Sequence, residues 1–138
     1  MTEFALDSSA TLSWAFADEA TPAGDALLRA LQGGCRAWVP ALWHLEVANA
    51  LLYAKKRGRI DHAGVEIFLA MLQEVEIAVD DQTMLQAWGK MLGLSEAYGL
   101  SVYDAAYLEL ALRRGLPLAT LDGLLRAAGA KAGMHVLL

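Results

Sequence analysis

The sequence predicts an α/β fold in three layers, with helices on both faces of a central parallel sheet of about five short strands. Two observations carry this reading. Short apolar runs alternate with helical segments along the whole chain. The runs are apolar throughout rather than alternating in polarity, as expected of strands covered on both faces.

The elements follow in order. EFALD (3–7) is a strand ending in an acid, and SSATLSWAFA begins a helix after it. PAGDALLRALQGG is a second helix, with Pro22 near its start and Gly33–Gly34 at its end. RAWVP (36–40) is a strand closed by Pro40. ALWHLEVANALLYAKKRG is a long helix that stops at Gly58, and DHAGVEIFLAMLQEV is another, capped by Asp61. EIAVD (76–80) is a strand, and DQTMLQAWGKMLGLSEAYG is helical with glycine interruptions. GLSVYDAAYLELALRRG is a further helix. LPLATLD (116–122) is a strand ending in an acid, GLLRAAGAKAG a short helix and MHVLL a last strand.

At 138 residues the natural expectation is a single domain spanning 1–138. The longest run without a charged side chain, Ser8–Ala17, is ten residues. That is about half of what a membrane helix needs. Glu3 and Asp7 interrupt the start, which argues against a secretory signal. The expectation is a soluble, cytoplasmic protein with no membrane association. Cys35 is the one cysteine, which excludes an internal disulfide and a cysteine metal cluster. The net charge of −5 argues against broad, charge-driven binding to nucleic acid, but not against a nuclease whose acids hold cations. Hydrophobic residues make up 57% of the chain, so another chain is expected to cover part of the surface.

Four acids stand out. Asp104 opens a helical stripe formed by Tyr107, Leu108, Ala111 and Leu112, whereas Glu109 projects off it, towards solvent. An unpaired carboxylate facing a core is costly. Ser101 and Asp104 also fit one form of a capping box, which is the plainer explanation. Asp7 and Asp122 each end a predicted strand, and each also suits the N-cap of the helix that follows. Glu46 lies about one turn into its helix among Leu42, Leu45, Asn49, Leu52 and Tyr53. No Lys or Arg stands three or four residues away to pair with it. A hydrogen bond from the backbone or from Asn49 is the alternative there.

Strand ends and helix starts share one edge of a parallel sheet, the edge where ligands bind. Four carboxylates gathered there repel one another unless some protonate or a cation neutralises them. Oxygen donors without Cys or His favour Mg²⁺ or Mn²⁺ over Zn²⁺.

The stretches FALDSSATLSWAFADE, VPALWHLEVANALL and LSVYDAAYLELALRRGLPLATLDGLLRAA resemble the PIN-domain ribonucleases. Within that family, the chain resembles the VapC-type toxins of bacterial toxin–antitoxin pairs. The resemblance runs over nearly the whole chain. It places the family's acidic quartet on Asp7, Glu46, Asp104 and Asp122, as catalytic and metal-holding residues. It places a small hydroxyl residue on Ser9, a threonine on Thr120 and a commonly polar position on Asn49. Ser9 and Thr120 are then expected to hydrogen-bond the carboxylates and fix them. The resemblance further implies cleavage of RNA with Mg²⁺ or Mn²⁺, leaving a 5′-phosphate and a 3′-hydroxyl. A homodimer and inhibition by a cognate antitoxin are implied as well.

Lys55, Lys56, Arg57 and Arg59 form the one dense basic run and are candidates for RNA contact. Cations at a helix carboxyl end also complement its dipole, and Arg113–Arg114 share that explanation. Trp14, Trp38, Trp43 and Trp88 lie in apolar stretches and suit core or interface packing better than base stacking. His44, His62 and His135 are scattered and carry no assigned chemistry. Two rival readings are a phosphatase or phosphotransfer domain with Asp7 as nucleophile, and a non-catalytic interaction module. The first wants a lysine near a late strand end, and none stands around Asp122.

Overall fold

A computed structural model describes residues 1–138. Five strands, β1 (Glu3–Leu6), β2 (Arg36–Val39), β3 (Glu76–Val79), β4 (Leu118–Ala119) and β5 (Val136–Leu137), form one sheet. The order is β3-β2-β1-β4-β5, and every pair is parallel. The central strand β1 is inaccessible on both faces, through Phe4 and Leu6 as much as through Ala5. This explains why its residues are uniformly apolar. The edge strand β3 leaves Val79 exposed.

The connections are helical: α1 (Ser8–Leu12), α2 (Pro22–Gln32), α3 (Trp43–Lys56), α4 (His62–Gln73), α5 (Thr83–Gln86), α6 (Leu92–Tyr98), α7 (Val102–Arg114) and α8 (Gly123–Lys131). The chain winds from β1 to β2 to β3 in one direction and from β3 to β4 to β5 in the other. Right-handed crossovers then put α1–α4 on one face and α5–α8 on the other. The contacts of α1 with α3 and of α7 with α8 agree. This is the three-layer α/β/α architecture.

Local chemistry sets the helix ends. The Thr21 hydroxyl accepts the Gly24 N–H ahead of Pro22 in α2, and the Asp61 carboxylate accepts the Gly64 N–H in α4. Ser101 caps α7 by accepting the Asp104 N–H at 3.1 Å. Gly115, at φ 65°, closes α7, a left-handed conformation that glycine adopts without strain.

Several expectations need correction. The strand predicted over 116–122 shrinks to two residues, because Pro117 has no N–H to give a ladder. The last strand is equally short. Helix α1 ends at Leu12, and a 3₁₀ turn follows at Ala17–Glu19. The glycine interruptions after β3 are not a break. The chain passes from α5 to α6 through a π turn, Ala87–Met91, whose Met91 packs against Ala105 and Ala106 of α7. Trp43 joins the core, and Trp14 and Trp38 pack against it, but Trp88 is 94% exposed. Leu112, placed on the buried stripe of α7, is exposed.

The largest correction concerns Glu109. It is 2% exposed rather than solvated. Arg113, one turn later, donates to it at 2.6 Å and reaches Asp80 after β3, also at 2.6 Å. Arg114 donates to Asp80 at 2.9 Å while its guanidinium stacks 3.5 Å from the Trp38 ring centre. Asp80 is 1% exposed. Burial pushes its carboxyl up, but the two arginines outweigh that and hold it below the usual value. The pairing therefore locks the sheet edge to α7 and commits both arginines structurally. Arg113→Ala leaves two buried carboxylates short of a partner. It should cost about 3 kcal/mol in urea unfolding. No helix is long and apolar enough to cross a membrane.

Candidate functional site

The winding direction reverses between β1 and β4, which opens a crevice at their carboxyl ends. Leu6 is in register with Ala119, so the next residues, Asp7 and Thr120, emerge side by side there. The Asp7 N–H donates to the Ala119 carbonyl at 3.1 Å, carrying the ladder to the site itself.

Asp7 is 3% exposed. Its Oδ1 accepts the Ala10 N–H at 2.8 Å, so it caps α1. Two hydroxyls hold the carboxylate, one from Thr120 after β4 and one from Ser9 in α1. Thr120 Oγ1 donates to Oδ2 at 2.5 Å and accepts the Asp122 N–H at 3.0 Å. Ser9 Oγ lies 2.8 and 2.9 Å from the two carboxylate oxygens and accepts the Leu121 N–H at 3.0 Å. Burial raises the Asp7 carboxyl to about 6; these hydrogen bonds oppose the shift and the Asp122 charge adds to it.

Glu46 sits in the first turn of α3, half-buried. Tyr107 Oη donates to its Oε1 at 2.5 Å, and Ser8 Oγ lies 3.4 Å from the same oxygen. Burial raises the Glu46 carboxyl, the Tyr107 hydrogen bond lowers it and the Asp104 charge raises it again. Asp104 lies in the first turn of α7. Its carboxyl is pushed up by burial first and by the Asp122 charge second. Asp122 caps α8 by accepting the Leu125 N–H at 2.8 Å. Asp7 and Asp122 thus each cap a helix, and capping still leaves the charge of one within reach of the other. The acids feel one another's charge in pairs: Asp122 with Asp7, Asp122 with Asp104, and Asp104 with Glu46.

No Lys or Arg forms an ion pair with any of the four. The nearby Arg126 guanidinium instead donates to the Thr120 carbonyl at 3.0 Å. Asn49 is exposed on α3 and does not bond Glu46. The apolar neighbours read around Glu46 are partly surface: Leu45, Leu52 and Tyr53 are exposed.

Tyr107 and Ser8 are the site residues that sequence reasoning missed. Tyr107 reads as a core residue on the α7 stripe, and its ring is indeed buried. A buried phenol needs a partner for its hydroxyl, and that requirement was the available signal. Burial and the adjacent Glu46 push the phenol well above its ordinary value.

The basic run divides. Arg59 is occupied by Asp18 at 3.0 Å and Glu19 at 3.1 Å, and stacks 4.1 Å from the Phe16 ring centre. Lys55 lies 3.3 Å from His62 Nδ1, and Lys56 sits over Tyr53. Arg57 is exposed and forms no ion pair. A cleft of about 570 Å³ has both Ser9 and Asp122 of the acidic site and Arg57 and Arg59 in its wall.

No three His, Cys, Asp or Glu side chains are gathered closely enough to hold one ion by themselves. The donor chemistry nonetheless fits a hard divalent cation. The acids raise one another's carboxyls, none is ion-paired with a Lys or Arg, and Glu46 Oε2 accepts no hydrogen bond from the protein.

A family model described as PIN domain matches residues 4–131. The chain is also similar to the crystal structure of PAE2754 from Pyrobaculum aerophilum, with a TM-score of 0.68 and 23% identity. That match covers 92% of this chain and 84% of the other, and at this identity it speaks for the fold alone. None of the curated proteins matches the chain.

Proposed function

The chain belongs to the PIN domain family, whose members are generally metal-dependent nucleases, and on that premise we propose that it is a Mg²⁺- or Mn²⁺-dependent endoribonuclease acting as the VapC-type toxin of a toxin–antitoxin pair. The observation that carries this is the acidic crevice between β1 and β4. Asp7, Glu46, Asp104 and Asp122 come from distant segments, influence one another's charge in pairs, and form no ion pair with a Lys or Arg, which supports this reading.

Asp7 and Asp104 would hold the cation, and Glu46 and Asp122 would ligate it directly or orient its waters. The ion would supply Lewis-acid chemistry, activation of a water and offsetting of charge on the phosphoryl oxygens. Ser9 and Thr120 keep both Asp7 oxygens oriented and tie them to the loop that carries Asp122. The cleft joining Asp122 to Arg57 receives the RNA backbone, and Arg57 is the cation with no competing partner. Exposed Tyr53 and Leu121 in the wall of this cleft suit coverage by an antitoxin. Exposed Met84, Leu85 and Trp88 offer an apolar surface for a homodimer.

The test is incubation of the purified chain, free of antitoxin, with structured and single-stranded RNA in Mn²⁺ or chelator. Chelator-sensitive cleavage that Asp7→Asn removes supports the reading. Inertness with every divalent metal overturns it. Arg57→Ala should weaken RNA binding and lower the slope of log affinity against log salt by about 0.7, one phosphate contact on a single strand. Filter binding across a salt series measures this.

A further inference from the structure

The geometry points to Tyr107 as a positioning residue of the acidic site, whose hydroxyl fixes Oε1 of Glu46 and leaves Oε2 available to a divalent cation; this rests on the nuclease reading. Asp104 and Tyr107 lie one turn apart on α7, so one helix supplies an acid of the site and the clamp for another acid carried by α3. A phenol has a single proton to donate, and here it goes to Glu46 at 2.5 Å. Ser8, at 3.4 Å from the same oxygen, is the weaker second contact. Oε2 receives no hydrogen bond from the protein. The carboxylate is thus held by one oxygen, which sets the direction of the other. The Tyr107 ring is buried in the core, so its position is fixed by packing. A carboxylate on a long side chain near the surface would otherwise sample several rotamers, and a hydrogen bond from a rigid neighbour removes that freedom.

Tyr107→Phe deletes the hydroxyl and keeps the ring that fills the core, so the fold survives. The full chain, without RNA, is titrated with Mn²⁺ by calorimetry or electron paramagnetic resonance. The expected result is an affinity about tenfold weaker than wild type. In a Glu46→Gln background the same substitution should have no further effect, because the group it positions is gone. Equal loss in both backgrounds would mean general loosening of the site and overturns the assignment. Unchanged affinity in Tyr107→Phe, with wild type binding Mn²⁺, overturns it as well and leaves the nuclease reading standing. A wild-type chain that binds no Mn²⁺ overturns both.

Discussion

Asp7→Asn should remove RNA cleavage and, at neutral pH, raise the melting temperature of the metal-free protein. The loss of activity is expected to be at least about a hundredfold, the scale on which one group facing developing charge contributes. The gain in stability follows from linkage. Burial pushes the folded carboxyl up to about 6, against 3.8 for an ordinary aspartate. Its contribution to stability is therefore fully present below the unfolded value and is lost as pH rises through about 6. At neutral pH the fold carries a buried charge that the unfolded chain would hold in water. A difference of about two pH units corresponds to about 3 kcal/mol, an upper figure because asparagine must re-pair with Ser9 and Thr120. Several degrees in melting temperature should result. Thermal melts in chelator beside a cleavage assay check both halves. A variant that cleaves like wild type would take Asp7 out of the chemistry. One that melts lower would mean its charge is compensated in the free protein.

Mn²⁺ should stabilise the chain and reverse the sign of its pH dependence. At about a hundredfold excess over the dissociation constant, an ion that binds only the folded state adds about 2.7 kcal/mol. Without metal, Asp7, Glu46 and Asp104 all have raised carboxyls, so stability falls as pH rises from the ordinary carboxylate range through about 6, the Asp7 value. Asp80, whose carboxyl is lowered, acts only below the unfolded value of 3.8, where its contribution is lost as pH falls. It therefore leaves this window untouched. With metal, the acids must be ionised to bind, so affinity and stability rise across the same range. Melting curves with Mn²⁺ and with chelator should diverge as pH increases. Parallel curves would mean that the acids share no cation.

Much of this architecture is legible in the chain because its signals are local. Uniformly apolar runs mark strands buried on both faces, and β1 is the clearest case, with Phe4, Ala5 and Leu6 all inaccessible. Ser101, Asp61 and Gly115 announce their helix ends by side-chain chemistry or backbone freedom. What the chain conceals is pairing across distance. Helical projection puts Glu109 in solvent because nothing nearby reveals that Arg113 will meet Asp80 from another element. Tyr107 looks apolar because its acceptor lies on α3. Trp88 suits core or interface packing by its apolar stretch, and the π turn that carries it, invisible to a period of 3.6, leaves it outside the core. Of the acids, sequence pattern indicates a common sheet edge for Asp7 and Asp122, and their charges do interact. Asn49 lies one turn from Glu46 yet forms no hydrogen bond with it, because helical spacing alone does not ensure contact.

Thr120 and Asp7 touch although 113 residues separate them. That contact can form only once β1 and the segment after β4 have docked side by side. A backbone cut anywhere between them therefore leaves the grip on Asp7 dependent on the two fragments staying associated.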